Sequence, residues 1–317
     1  MRRKLLLPCL ALTAAIIALY PLLSHFYFSQ QAALPPGIRP RETKLLRIWL
    51  LGDMLGAESY LKQQAAAYEK AHPGRRLYLR TARLSELEDP AALLPDGVIF
   101  SPGALPQPEK VLKPLAGSWS VPDRLLMAGK WRTEQYALPF LLAGYALAEQ
   151  AAGEGFEAAA GVPALLALPE KAASAELSQS KVYENFAAGR SRRAVLTLKQ
   201  VRTLNARDYA FTARALPYGF TDLCLAAGAA GENAEEMLAF LQFLLTAPAQ
   251  EALRDYGFFT VLPALTLYDN AMPLMAQAEA VFQKEAALPS LFAFDPARAR
   301  AMSLTETDPE AAFERLQ

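Results

Sequence analysis

The sequence has few of the residues that most often carry metal or nucleophilic chemistry. Its 317 residues include only 2 cysteines and 2 histidines. Cys9 and Cys224 lie far apart and form no C-x-x-C pair, so the sequence predicts neither a disulfide framework nor a four-ligand zinc site. His25 falls in an apolar run, and the Ala-His-Pro-Gly sequence around His72 is typical of a helix end. We therefore expect no enzyme active site, no metal and no cofactor.

The chain also has no excess of charge of either sign. Its 32 lysines and arginines balance its 32 aspartates and glutamates, which gives a formal net charge of zero. Nucleic-acid-binding domains usually concentrate positive charge, so this balance argues against a nucleic-acid partner. The apolar fraction of 53%, in contrast, is high enough for a large buried core and excludes a disordered chain.

One long uncharged stretch lies near the N-terminus, at residues 5–28, directly after three basic residues. As a helix it would be about 36 Å long, enough to cross the ~30 Å hydrocarbon core of a bilayer. The basic start favours a cytoplasmic N-terminus and an extracytoplasmic remainder. We expect an uncleaved anchor over residues 1–28, followed by a Pro-rich tether over residues 29–44. A cleaved signal peptide and a lipoprotein modified at Cys9 are the alternatives.

After the tether, the hydrophobic pattern alternates between strand and helix periods. A near-continuous apolar run over residues 45–51 predicts a buried strand, and a helical period over residues 54–71 predicts an amphipathic helix. Further strands are expected at residues 77–81 and 97–100. Strands and helices in this order, joined by short connections, predict an α/β fold with a parallel sheet.

The C-terminal half contains helix start and stop signals. Asn233 is placed to cap a helix, with Glu236 as the partner of a capping box. Pro248 fits the first turn of the next helix, and Gly257 fits its C-terminal end. A further helix is expected over residues 273–287.

Several short motifs occur along the chain in the order seen in one known family. They are Arg47-Ile48-Trp49 with the helix to Lys70 and the Pro73-Gly74 turn, Pro95-Asp96-Gly97-Val98-Ile99, Tyr136-Ala137-Leu138-Pro139, Phe186-Ala187-Ala188-Gly189-Arg190, and the segment from Asn233 to Pro263. This order resembles the family 1 extracellular solute-binding proteins of ABC importers, which include the maltose- and oligosaccharide-binding proteins.

The resemblance implies a two-lobed α/β fold of the type II periplasmic-binding-protein kind. Its lobes would be based on parallel sheets and joined by hinge crossings near Pro139, Pro217 and Leu262. The second lobe is expected to be reduced, because the stretch between Tyr145 and Phe186 is short and rich in Ala, Gly and Glu. The predicted division is lobe 1 over residues 45–138 and 218–262, and lobe 2 over residues 139–217 and 263–317.

The predicted binding site follows from the rule that ligands face the carboxyl ends of strands in an open sheet. By this rule Asp53 follows the first strand and Ser101 follows the strand at residues 97–100. For Asp53 and Asp222 the alternative is a role in capping a turn or a helix. For Tyr145 the alternative is a place in the core. The candidate ligand-binding residues are Asp53, Ser101, Tyr145, Tyr218, Phe220 and Asp222.

The resemblance implies an extracytoplasmic protein that captures a carbohydrate or another small polar solute between its lobes for an ABC importer. The alternative is a degenerate module of the same fold that acts as a membrane-anchored sensor or interaction protein. The chain has only 3 tryptophans, whereas sugar sites in this family depend on aromatic platforms. That scarcity and the reduced second lobe favour the alternative, and the intact order of motifs favours the transport role.

Overall fold

A computed structural model describes most of the chain that follows the predicted tether. The described residues are 43–89, 93–159, 177–216, 224–285 and 290–295, with the single residues 298, 301, 302 and 315. Within these residues, no helix combines the length and the apolar character that crossing a membrane requires. The predicted anchor, residues 1–28, lies outside the described part of the chain.

The described chain is a mixture of strands and helices, so the predicted α/β class is confirmed. The strands are β1 (Lys44–Leu51), β2 (Arg75–Ala82), β3 (Gly97–Phe100), β4 (Lys130–Trp131), β5 (Glu134–Gln135), β6 (Leu138–Leu142), β7 (Tyr145–Glu149), β8 (Phe156–Glu157), β9 (Arg193–Thr197), β10 (Thr212–Leu216) and β11 (Cys224–Ala229). The helices are α1 (Glu58–Ala71), α2 (Leu84–Leu87), α3 (Asp123–Leu126), α4 (Gln179–Ala187), α5 (Leu198–Asn205), α6 (Ala234–Leu244), α7 (Ala247–Glu251), α8 (Leu253–Tyr256) and α9 (Pro273–Glu285).

The first sheet has five strands in the order β2-β1-β3-β11-β6. β1 and β3 are parallel, and β11 runs antiparallel to both β3 and β6. Every residue of β3, β6 and β11 is buried, which explains why these segments are apolar without alternation. These three strands therefore contribute to the core of the first part of the molecule.

The second sheet has four strands in the order β10-β7-β9-β8. β7 runs antiparallel to both β10 and β9, and the short β8 pairs with β9 in parallel. The expectation that both lobes are based on parallel sheets is therefore wrong: the first sheet mixes parallel and antiparallel pairs, and the second is mostly antiparallel. The physical reason is that a strand buried on both faces has the same hydrophobic pattern whatever the direction of its neighbours.

The chain passes from the first sheet to the second at residues 143–144. Pro139 lies within β6, where it is opposite Ala226 of β11, so this passage comes later than the predicted crossing near Pro139. At Gly144 an added Cβ would lie 2.4 Å from Cζ of Phe282, and the Gly144 carbonyl accepts a 2.9 Å hydrogen bond from Leu198 N–H. A glycine here leaves room for the Phe282 ring of α9 against the passage between the sheets. The division into lobes by residue range remains a prediction.

The predicted helix ends are correct in part. α7 has Pro248 in its first turn, and Gly257 ends α8 with a left-handed φ of 76°. The predicted capping box at α6 is wrong. Asn233 instead donates to Asp96 Oδ1 at 2.9 Å, and Glu236 accepts hydrogen bonds of 2.7 and 2.5 Å from Arg75. Distant charged groups thus compete successfully with the local backbone for these two side chains.

Candidate functional site

Asp53 and Ser101 meet at the carboxyl edge of the first sheet. Leu51 and Phe100, the last residues of β1 and β3, are paired in register, so the residues that follow them emerge side by side. The Ser101 hydroxyl accepts a 3.1 Å hydrogen bond from the Asp53 N–H. The structure therefore brings these two candidate residues together at the edge where the open-sheet rule places a ligand.

The turn after β1 depends on glycine and on the Asp53 carboxylate. Gly52 has a φ of 78°, and a Cβ added there would lie 2.2 Å from Ser101 Oγ. Asp53 is exposed, and its Oδ1 accepts a 2.8 Å hydrogen bond from Leu55 N–H. The aspartate thus has the turn-closing role that the sequence left open, and its role toward a ligand remains a prediction.

Tyr145 lies in the second sheet, at the edge where β9 and β10 end. It is the first residue of β7 and lies opposite Thr197 and Leu216, the last residues of β9 and β10. Its side chain is buried, with 5% of its surface exposed. Tyr145 therefore belongs to the core at the carboxyl edge of β9 and β10, directly after the passage between the sheets. This placement agrees with the core alternative for Tyr145.

The other three candidates, Tyr218, Phe220 and Asp222, lie outside the described residues. They belong to the segment that connects the carboxyl end of β10 to the start of β11. Their contribution to a binding site therefore remains a prediction.

Lys199 is a residue that the sequence analysis did not select. It is the second residue of α5, directly after β9, and its Nζ donates a 3.1 Å hydrogen bond to the Gly56 carbonyl. Gly56 belongs to the turn after β1. The contact thus connects the carboxyl edges of the two sheets. The Thr197–Gln200 capping box would have revealed where α5 begins, but no local signal identifies the distant partner of Lys199.

Cys224 is the first residue of β11, directly after the segment that connects β10 to β11. It is fully buried, and burial raises the pKa of its thiol, which keeps the sulfur protonated and unreactive. Among the described residues, no group of histidines, cysteines and carboxylates is arranged to hold a metal ion. The polar groups described at this edge are those of Asp53, Ser101 and Lys199.

Two cavities adjoin the segments that follow the strands. One of about 430 Å³ lies between residues that come after β2 and after β3. Leucines supply its apolar lining, and Glu88, Gln107 and Lys110 supply polar groups. The second, of about 280 Å³, lies between α5 and the start of α9. The first has the volume and the mixed lining of a pocket for a small ligand.

Comparisons with known proteins give a likeness in structure but none in sequence. No protein-family model and no curated protein sequence matches this chain. The GacH receptor of Streptomyces glaucescens GLA.O, studied unliganded and in complex with acarbose and an acarbose homolog, matches with a TM-score of 0.59 at 13% identity. The match covers 86% of this chain and 96% of that one.

A second solved structure gives the same result. The cyclic alpha-maltosyl-1,6-maltose binding protein from Arthrobacter globiformis matches with a TM-score of 0.58 at 14% identity, over 86% of this chain and 97% of the other. Both are a receptor or a binding protein rather than an enzyme. At such identities the likeness concerns the fold alone. The predicted resemblance to maltose- and oligosaccharide-binding proteins is confirmed at that level.

Proposed function

We propose that this chain is an extracytoplasmic carbohydrate-binding protein that delivers its solute to an ABC importer. The observation that supports this most directly is the fold, which is similar to those of two sugar-binding proteins over nearly their whole lengths. Proteins of this architecture bind solute between two lobes and close over it by hinge motion.

In this proposal the solute lies between the carboxyl edges of the two sheets. Asp53 and Ser101 contribute polar groups from the first sheet, and their meeting at its edge supports this placement. Tyr218 and Phe220 contribute aromatic faces from the segment that connects β10 to β11, and Asp222 contributes a hydrogen-bond acceptor from the same segment. An aromatic face stacked on a sugar contributes about 1 kcal/mol beyond burial.

The proposal is tested by calorimetry on the full chain with maltose, maltotetraose and acarbose as probes. We expect wild-type affinity in the micromolar range or weaker, and a several-fold loss in the Tyr218→Ala, Phe220→Ala double variant. Tyr78→Ala is the matched control, because Tyr78 is an exposed tyrosine on the edge strand β2. Unchanged binding in the folded double variant would remove these two aromatic residues from the site.

The membrane anchor is a separate part of the proposal, supported by the uncharged stretch over residues 5–28. N-terminal sequencing of the mature protein from a membrane fraction should find the chain uncleaved. A terminus near Ala33 or Leu34 would instead establish a cleaved signal peptide, and lipid on Cys9 would establish a lipoprotein. All three results keep the folded part on the extracytoplasmic side.

The second candidate function is a degenerate sensor or interaction module, and the placement of the tryptophans favours it. Trp49 is 4% exposed and lies beneath Arg80, with 4.2 Å between the guanidinium carbon and the ring centroid. Trp119 and Trp131 have buried indole nitrogens. Trp49 is therefore not an open stacking platform, and Trp119 and Trp131 are partly buried. Failure to bind any sugar of a broad panel, together with a neighbouring sensor-kinase gene instead of permease genes, would favour this function.

A further inference from the structure

The cavity of about 280 Å³ between α5 and the start of α9 lies apart from the residues proposed to bind the solute. α5 begins directly after β9, at the carboxyl edge of the second sheet, and it lines the cavity with Val201 and with residues nearer its C-terminal end. At 1.5 Å per residue, that end of the helix is about 10 Å from its start. The cavity is therefore a place for a second ligand, separate from the edge at which Asp53 and Ser101 meet.

The walls of this cavity are mostly apolar and include two methionines from the start of α9. Met275 is 3% exposed and belongs to the buried core, and Met272 and Leu274 pack against that core. Val201, on the side of α5, is also buried. A thioether makes favourable contacts with the edge of an aromatic ring, and the unbranched methionine side chain adapts to the shape of its partner. The walls therefore suit a small aromatic body.

Asp269 holds the segment that leads into α9. Its Oδ1 accepts a 3.0 Å hydrogen bond from Ala271 N–H, and its carbonyl accepts one of 2.9 Å from Met272 N–H. Its carboxylate also lies 3.7 Å from a guanidinium nitrogen of Arg254. Asp269 is thus already paired, and none of the described residues that line the cavity is acidic. The wall is therefore preformed, and it adds no negative charge to the cavity.

Arg202 supplies the positive charge of the cavity lining. Its Nη1 donates a 2.8 Å hydrogen bond to the Asp255 carbonyl, which holds the guanidinium in one place. A guanidinium has five N–H donors, and within the described part of the chain the remaining ones have no acceptor. Asn205 lies three residues later on the same face of α5, and its side-chain amide likewise has no partner among the described residues. Two positioned donor groups therefore adjoin the apolar walls.

These groups select the charge and the size of a ligand. One cation with no acid in the lining favours a single negative charge, and a carboxylate accepts two parallel N–H bonds from a guanidinium. The volume is at the small end of the range of about 300–1,000 Å³ that is typical of ligand sites. An apolar cavity with a few positioned polar groups is the usual form of such a site.

We propose that this cavity is a second ligand site, which binds a small aromatic monocarboxylate. The ring lies against Met272 and Met275, and the carboxylate accepts hydrogen bonds from Arg202 and Asn205. This inference does not rest on the proposed function, because no candidate solute-binding residue of the described chain lines the cavity.

The test is a fluorine NMR titration of the full chain with para-fluorophenylacetate, with the uncharged para-fluorophenylacetamide as the matched probe. Line broadening of the fluorine signal measures the bound fraction of each probe. Because the two probes differ in charge but hardly in shape, we expect the acid to bind at least about tenfold more tightly than the amide. Equal affinities, or no binding of the acid, would overturn the proposal.

Two variants remove different parts of the site. Arg202→Gln removes the charge, and we expect it to weaken binding of the acid at least about tenfold. Ala206→Phe keeps Arg202 and places a ring in the cavity, so it should abolish binding even if Arg202→Gln proves unstable. Arg207→Gln is the matched control, because Arg207 is the next residue, is exposed and does not line the cavity. Its loss should leave the affinity unchanged.

Thermal melting of each variant verifies that it is folded. Unchanged affinity in the folded Ala206→Phe variant, or an equal loss in Arg207→Gln and Arg202→Gln, would overturn the site. Maltotetraose is then added to the wild-type complex, and we expect the fluorinated acid to stay bound. Displacement by the sugar would place the acid in the solute cleft and would also overturn the site, whereas the sugar calorimetry described above tests the proposed function separately.

Discussion

Asp96, which precedes β3 in the first sheet, and Glu279, in the middle of α9, are both buried carboxylates but have different partners. Asp96 accepts hydrogen bonds from the Arg47 side chain at 3.2 Å and from Asn233 at 2.9 Å, as well as from the Arg47 N–H. Among the described residues, Glu279 accepts hydrogen bonds only from backbone groups, the N–H groups of Leu267 and Tyr268, at 2.9 to 3.0 Å. One region pairs its buried acid with a cation, and the other pairs it with peptide dipoles.

The difference in hydrogen-bond partners shifts the pKa values of Asp96 and Glu279 in opposite directions. Burial alone would raise the pKa of Asp96, but the hydrogen bonds and charge of Arg47 and the amide of Asn233 outweigh it and hold the pKa below its usual value. At Glu279 burial dominates over the two backbone hydrogen bonds, so its pKa is raised. A nearby guanidinium compensates the desolvation of a carboxylate, whereas two N–H groups do so only in part.

The largest expected effect comes from removing the carboxylate of the first region. Asp96→Ala leaves the Arg47 guanidinium and the Asn233 amide without their acceptor, so we expect a loss of about 3 kcal/mol in the free energy of unfolding. Urea denaturation followed by circular dichroism measures it. Glu184→Ala, which breaks an exposed pair on α4, is the control and should cost less than about 0.5 kcal/mol. Equal losses of unfolding free energy in Asp96→Ala and Glu184→Ala would show that the buried Arg47–Asp96 pair stabilises the fold no more than an exposed pair does.

A smaller effect is expected in the second region. Glu279→Gln removes a charge that is costly to bury but places an amide NH₂ against the Leu267 N–H. These changes oppose each other, so we expect a net loss of about 1 kcal/mol at neutral pH in the same urea experiment. Gln277→Ala, on the exposed side of the same helix, is the control. A loss as large as that of Asp96→Ala would contradict the contrast between the regions.

The smallest effect is a pair of opposite pH dependences. Because the pKa of Asp96 is lowered on folding, its contribution to stability is present above about pH 3.9 and is lost as the pH falls through the folded pKa. Because the pKa of Glu279 is raised, its contribution is present below about pH 4.3 and is lost as the pH rises through the folded value. Unfolding of wild type, Asp96→Asn and Glu279→Gln across this range measures both. If the contributions of Asp96 and Glu279 to the free energy of unfolding changed with pH in the same direction, the opposite pKa shifts assigned to them would be contradicted.

Several elements of the fold were predictable because local sequence determines them. β3 has the bounds that its apolar run predicts, and the ends of α7 and α8 follow from Pro248 and Gly257. Proline and glycine restrict or release the backbone wherever they occur, so their effect does not depend on distant contacts. Asn233 failed as a cap because a buried acid far away in the chain offered it a stronger partner.

The candidate site was predictable to a similar extent. The meeting of Asp53 and Ser101 follows from two parallel strands that end in register; the sequence predicted the two strands and their parallel direction, and the structure supplied the register. The turn-closing role of the Asp53 carboxylate and the core position of Tyr145 were open alternatives that only coordinates could decide. Lys199 was missed altogether, since a single lysine early in a helix has no pattern that distinguishes it.

The sequence by itself determined that the apolar runs at residues 45–51, 77–81 and 97–100 form strands, where several helices end, and which loops follow these strands. These properties depend on the hydrophobic period and the backbone freedom of neighbouring residues. Tertiary structure alone decided the antiparallel direction of β7, the pairing of Arg75 with Glu236, and the contact of Lys199 with Gly56. Each of these depends on which surfaces meet after folding, and residues far apart in the chain meet through packing that no local period encodes.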